Sequence, residues 1–190
     1  MENPFDLFEI WFAEAQNIGL KEPTAMHLST VSKDGKPSSR IILLKGHDER
    51  GFVFYTNSNS RKGGELAENP NVALCFYWMD LGKQIRIEGK VSEVKGKEAD
   101  EYFASRHPQS RLGAWASKQS QVMPSREEFL ADVEKVREKF GDNPPRPEHW
   151  YGYRVNPERM EFWQEGEFRL HNRDIYEREG EGWKHYRIYP

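Results

Sequence analysis

Thr24-Ala25-Met26-His27-Leu28-Ser29-Thr30-Val31-Ser32, Lys33-Asp34-Gly35-Lys36 and Pro37-Ser38-Ser39-Arg40-Ile41-Ile42-Leu43-Leu44-Lys45 decide the fold. The first run reads as a strand, the second as a hairpin turn with an Asp-Gly signal, and the third as the returning strand. His47-Asp48-Glu49-Arg50-Gly51 then turns the chain again, into Phe52-Val53-Phe54-Tyr55-Thr56. Three strands joined by short turns form an antiparallel meander.

Upstream, Asn3-Pro4 reads as a cap and first helical turn. Phe5, Phe8, Phe12 and Ala15 follow helical spacing to about Gln16. Downstream, a short helix opens near Arg61 and must end before Asn69-Pro70. Strands follow at about 71–78 and 84–95, with alternating apolar positions. Lys97 to Arg106 reads as a helix. A further helix starts near Ser125, with Ser125 and Glu128 at capping-box spacing and a stripe of Phe129, Val133, Val136 and Phe140. Asn143-Pro144-Pro145-Arg146-Pro147 is a rigid break. The rest reads as three more strands, turning at Glu165-Gly166 and Gly180-Glu181-Gly182. Short antiparallel strands with few helices predict one domain over 1–190: mainly β with helices, a closed or half-closed barrel under helical cover. Without βα alternation or a Gly-rich nucleotide fingerprint, a doubly wound sheet is not expected.

The 190 residues carry a net charge of -3 and 13% aromatic side chains. An acidic balance argues against a nucleic-acid binder. Mean hydropathy is -0.91, yet the apolar residues cluster in strand-like runs, so a folded chain is expected. The single cysteine, Cys75, lies in an apolar strand and reads as a small buried hydrophobe. No Cys/His spacing suggests a metal site. Glu2, Asp6, Glu9 and Glu14 argue against a signal or transit peptide, and no apolar run reaches membrane length. A cytoplasmic protein is expected.

Five stretches could carry chemistry. Arg40 and Lys45 lie five apart on an apolar strand, so a regular strand points them to opposite faces, either as surface charges or as cations for two ligands. Tyr55-Thr56-Asn57-Ser58-Asn59-Ser60-Arg61-Lys62 runs from strand end to helix start. Free N–H groups plus two cations there suit a phosphate, though a capped surface helix has the same look. Tyr102, Arg106 and Ser110 bring a phenol, a guanidinium and a hydroxyl to a helix end. Gly113 to Gln121 reads as a loop that hydrogen-bonds a polar ligand, or simply as a polar loop. Finally, in Glu161-Phe162-Trp163-Gln164-Glu165-Gly166-Glu167-Phe168-Arg169-Leu170-His171-Asn172-Arg173, a strand would project Arg169, His171 and Arg173 from one face. Three clustered cationic groups call for an anionic, planar ligand.

These blocks, in this order, resemble the pyridoxamine 5'-phosphate oxidase family from about Pro23 to Pro190. The resemblance implies an FMN-binding split β-barrel of antiparallel Greek-key type, and a homodimer with FMN at its interface. It implies FMN contacts at Arg40, Ile41, Ile42, Leu43, Leu44, Lys45, Tyr55 and Thr56. Further FMN contacts are implied at Arg61, Lys62, Gln84, Gln119, Ser120, Trp163 and Arg173. Substrate phosphate contacts are implied at Lys45, Tyr102, Arg106 and Ser110. Arg169, Leu170 and His171 fall where the family grips the pyridine ring, and Arg169 and His171 are the implied catalytic pair. The family commonly has a longer arm before the first helix, and a smaller residue where Tyr189 stands.

The implied reaction oxidises the 4' carbon of pyridoxamine or pyridoxine 5'-phosphate to the aldehyde of pyridoxal 5'-phosphate. Hydride passes to N5 of FMN, and O2 reoxidises the flavin to give hydrogen peroxide. The rivals are a split-barrel protein that binds flavin or pyridoxal phosphate without turnover, a related barrel with haem or another flavin-like cofactor, and a structural domain.

Overall fold

A computed structural model describes residues 3–190; Met1 and Glu2, and so one acid of the N-terminal charge reading, lie outside it. Helix α1 spans Pro4–Asn17, with the Asn3 side chain accepting from the Phe5 N–H at 3.0 Å. Its buried face is Phe5, Phe8, Trp11, Phe12 and Ala15, which adds Trp11 to the expected stripe. Phe8 meets Phe52 and Phe76 edge-on at 4.8 and 5.5 Å between centroids. Burying each such ring stabilises the fold by about 1.5–3 kcal/mol. A second tie is electrostatic: buried Lys83 pairs with Glu14 of α1 and lies over the Trp11 ring.

The strands are β1 (Ala25–Val31), β2 (Pro37–Leu43), β3 (Gly46–Asp48), β4 (Gly51–Asn57), β5 (Asn71–Trp78), β6 (Lys83–Val94), β7 (Trp150–Gln164), β8 (Asn172–Glu179) and β9 (Gly182–Arg187). All pairings are antiparallel, in the order β2-β1-β5-β6-β7-β4-β3, with β8 and β9 continuing from β7. The edges β2 and β3 are consecutive in the chain. Between them, Leu44 N–H donates to Thr24 O at 2.9 Å and Lys45 N–H to Val53 O at 2.8 Å. Two adjacent residues thus stitch opposite ends of the sheet, giving the half-closed barrel that the short antiparallel strands predict; β4 pairs with β3 and β7 rather than with β2, so the three expected strands are not one simple meander. The interior holds Met26, Leu28, Phe54, Leu74, Phe76, Ile85, Ile87 and Phe162, all at most 1% exposed. A β-bulge between Glu88 and Gly89 bends β6. A Cβ at Gly89 would stand 2.1 Å from Asn156 O, so only glycine fits there.

The other helices are α2 (Arg61–Glu68), α3 (Lys97–Ser105), α4 (Pro108–Ala116) and α5 (Arg126–Phe140). Among the described residues, no helix is long and apolar enough to cross a membrane.

Five expectations are corrected here. Gly46–Asp48 is a strand rather than part of a turn, because its backbone pairs with β4. Residues 113–116 are the last turn of α4, not loop, and Ser110 sits in that helix rather than past a helix end. Pro108 at the first position and the His107 ring accepting from Gln109 N–H start this helix. Cys75 is half-buried: alternation sends Val72, Leu74, Phe76 and Trp78 inward, so Cys75 faces outward between His27 and Arg86. On α5 only Val133 is fully buried; Phe129, Val136 and Phe140 are partly covered, because the helix lies over α4 rather than in the barrel.

Candidate active site

A cavity of about 690 Å³ opens between β2, β4, α4 and the start of β7. Arg40, Ile41, Ile42, Leu43 and Lys45 form one wall. Arg40 and Lys45 therefore share one cavity instead of straddling a strand, because β2 ends at Leu43 and the chain turns before Lys45. Leu44 is 4% exposed and its side chain belongs to the core.

Ser60 caps α2, its hydroxyl accepting from Gly63 N–H at 3.3 Å. A Cβ at Gly63 would stand 2.1 Å from Ser58 O, so glycine lets the helix start this close to β4. Lys62 Nζ donates to Thr56 Oγ1, Ser60 Oγ and Gln119 Oε1 at 3.1, 3.2 and 3.2 Å. No carboxylate pairs with it among the described residues. Burial, then the charge of Arg40, holds its pKa below the usual lysine range. A cation held by neutral oxygens at a helix N-terminus is ready for an anion.

The neighbouring guanidinium groups are anchored instead. Glu65, 6% exposed, accepts from Arg40 Nη2 at 3.3 Å, Arg61 Nε at 2.9 Å, Ser38 Oγ at 2.7 Å and Thr30 Oγ1 at 2.5 Å. Burial alone would raise its pKa; the hydroxyl and Arg61 bonds override this and bring it down to about 2. Glu65 escaped the sequence reading, although its spacing four residues after Arg61 is a visible signal.

The far wall is aromatic. Tyr55 and Tyr102 stack at 4.1 Å, and Tyr55 and Trp150 at 5.4 Å. The Arg106 guanidinium lies 4.4 Å over Trp150. Its Nη1 is buried without a hydrogen-bond partner. Burial depresses the Arg106 pKa, raises that of Tyr102 and pushes that of Tyr55 up to about 12, so both phenols stay neutral at physiological pH. Ser110 and Gln119 line the same space, whereas Ser120 lines an adjoining groove with a left-handed backbone, φ 72°. Asn57 and Ser117, inside two of the stretches, also line the cavity; Trp150 and Phe129 line it too and were missed, Trp150 because it lies far from the other stretches in sequence.

Gln84, Trp163, Arg169, His171 and Arg173 lie elsewhere. None lines the cavity. Gln84, Trp163 and Arg173 are register neighbours across β6, β7 and β8. The expected strand face of Arg169, His171 and Arg173 does not form. Residues 167–169 make a 3-10 turn, Phe168 and Arg169 have φ of 56° and 66°, and β8 begins only at Asn172. The sharp turn is permitted by Gly166, where a Cβ would stand 2.1 Å from Leu170 O. Leu170 is 70% exposed. His171 packs 4.6 Å from Trp163, and its Nδ1 accepts from Gly166 N–H at 3.2 Å. The neutral ring therefore carries its proton on Nε2. Arg173 is not unpaired: it donates to buried Glu161 at 2.8 Å. The two groups sit at opposite ends of β7, 13 residues apart between Trp150 and Trp163, or about 40 Å along an extended strand.

Residues 12–140 match the family model described as pyridoxamine 5'-phosphate oxidase. Residues 150–190 match that of the pyridoxine 5'-phosphate oxidase C-terminal dimerisation region. The pyridoxine/pyridoxamine 5'-phosphate oxidases of Burkholderia mallei (strain SAVP1) and Burkholderia thailandensis are each 52% identical, over 99% of this chain and 89% of theirs. The crystal structure of PhzG from Burkholderia lata 383, in complex with tetrahydrophenazine-1-carboxylic acid, superposes with a TM-score of 0.95 at 36% identity, covering 100% of this chain and 94% of that one. A pyridoxamine 5'-phosphate oxidase-related, FMN-binding protein from Nostoc punctiforme PCC 73102 has the same fold, with a TM-score of 0.81 at 17% identity and full coverage of both chains.

Proposed function

The chain belongs to the pyridoxamine 5'-phosphate oxidase family, and from that premise we propose that it oxidises pyridoxamine or pyridoxine 5'-phosphate to pyridoxal 5'-phosphate in the cytoplasm. FMN is its cofactor, and the C-terminal dimerisation region supports a homodimer. The observation that carries the substrate assignment is the buried, unpartnered Nη1 of Arg106 in a cavity shared with Lys45, Tyr102 and Ser110. A dianionic phosphate would satisfy that N–H and balance two cations.

The residues also fit the cofactor. Lys62 without a carboxylate, the α2 N-terminus, Thr56 and Gln119 would hold the FMN phosphate, with Arg61, Arg40 and the 41–45 wall beside it and Ser120 at its edge. Tyr55 would close the aromatic side. Gln84, Trp163 and Arg173 would complete the site from the second copy, since one chain holds these groups apart. The whole chain, 1–190, would act as one FMN-binding unit.

When bound, FMN supplies the two-electron acceptor, and O2 takes the electrons onward to give hydrogen peroxide. Lys45, Tyr102, Arg106 and Ser110 fix the substrate phosphate and so orient the ring. Arg169 would stabilise negative charge on the phenolic oxygen, and Leu170 would pack against the ring. His171 presents a proton at Nε2, held in that tautomer by the Gly166 N–H.

The test is anaerobic mixing of the FMN-loaded protein with pyridoxine 5'-phosphate. The flavin absorbance should bleach, recover in air and leave the aldehyde. A second reading is favoured by the 36% identity to PhzG: a flavin protein whose cavity takes a polycyclic carboxylate. Bleaching by a phosphate-free reduced tricyclic acid, and not by pyridoxine 5'-phosphate, would select that reading. A band that neither bleaches would leave a binding protein without turnover.

A further inference from the structure

On the outer face of the sheet one carboxylate joins three strands. Glu161 of β7 is 1% exposed, and it accepts from Arg173 of β8, Arg86 of β6 and Arg159 of its own strand. The contacts are unequal. Arg173 brings Nε and Nη2 to Oε1 at 2.8 Å, whereas Arg86 and Arg159 each stand 3.3 Å from Oε2. Arg86 and Arg159 each have a second carboxylate, Glu88, at 3.1 Å. Among the described residues Arg173 has no other; its remaining contact is donation to Tyr189 O at 3.2 Å.

A buried carboxylate is a poor way to stabilise a sheet, because desolvation offsets much of the attraction. A two-donor grip on one planar guanidinium does fix an orientation. The guanidinium gripped here is the one opposite Trp163, which in turn sits opposite Gln84. We infer that Glu161 is a positioning residue: it aligns Arg173 beside Trp163 before the flavin arrives, so that this row meets the cofactor preformed. The inference rests on the reading that Arg173 contacts FMN. It assigns Glu161 no contact with FMN of its own.

The experiment is a double-mutant cycle read by FMN affinity. Apoproteins of the parent, Glu161→Gln, Arg173→Met and the double variant are titrated with FMN, following quenching of flavin fluorescence. Thermal melting and sedimentation show whether each remains a folded dimer. Glu161→Gln keeps the shape but removes the charge that holds the three guanidinium groups, and it replaces one acceptor oxygen with an NH2 that must face an arginine, so it should weaken FMN binding about tenfold or more. The double variant should bind no more weakly than Arg173→Met alone, because Glu161 acts only through Arg173. If the Gln variant does not fold, Glu161→Asp replaces it. That variant keeps the charge, withdraws it from Arg173, and should weaken FMN in the same direction. Parent-like FMN affinity in the Glu161 variant, with Arg173→Met impaired, would overturn the positioning role and leave the site reading intact. Multiplying losses in the double variant would overturn it equally. An Arg173→Met protein that binds FMN as the parent does would remove the underlying reading, and the inference with it.

Discussion

Glu65 holds the cavity wall together from below. Its carboxylate ties Thr30 of β1, Ser38 and Arg40 of β2, and Arg61 of α2 into one network. With the folded pKa near 2 against 4.5 when unconstrained, the sign of its pH effect is fixed. The ionised form is favoured by folding, so its stabilisation is complete above about pH 4.5 and is lost as pH falls through 2. Glu65→Gln should therefore melt lower than the parent at pH 7, and lose less further stability between pH 4.5 and 2. Thermal scans across that range check this; parallel losses in both proteins would refute it. The same residue explains why Arg40 and Arg61 are positioned cations rather than free ones, and why Lys62, with only neutral partners, is the group left to answer an anion.

At the scale of elements, the approach of α2 to β4 depends on one missing methyl group. Gly63→Ala would put a Cβ 2.1 Å from Ser58 O, which the backbone can relieve only by moving the helix start. The expected cost is about 2 kcal/mol, a fall of several degrees in Tm. FMN affinity should drop as well, since Lys62 and the Ser60 cap move together; unchanged Tm and affinity would remove Gly63 from this role. Elements of this kind were unevenly legible in sequence. The strands were, because alternation in β5 and β6 and the Asp-Gly turn after β1 are local signals. Helix α4 was not: Gly113-Ala114-Trp115-Ala116 has no apolar period, and its cap is a histidine ring rather than Ser, Thr, Asp or Asn. Nor was the turn at 167–169, because Phe168 and Arg169 adopt a left-handed backbone that side chains other than glycine rarely take. That turn is why three residues spaced like a strand face do not form one.

For the whole molecule, the decisive fact is the length of β7. The order of motifs makes the implied contact residues visible in sequence, though not Glu65 or Trp150, and order cannot tell which of them meet in one chain. Trp150 stands in the cavity and Trp163 in the Gln84–Arg173 row, separated by 13 residues of continuous strand. Extended strand of that length spans about 40 Å, too far for one mononucleotide to bridge along it. If the cofactor touches both groups, two chains must supply them, with each dimer holding two composite sites. This makes a specific prediction. Lys62→Met damages the cavity half, and Arg173→Met the outer row. Each homodimer should bind FMN weakly at both sites. In a mixed dimer of the two variants, one site collects both lesions and the other collects neither. Co-expressed and separated by distinct tags, the hybrid should therefore bind one FMN per dimer with parent-like affinity and show about half the parent activity, the arithmetic of one intact site in two. A hybrid as weak as either homodimer would mean that each site is built within one chain, and the two groups would then need separate explanations.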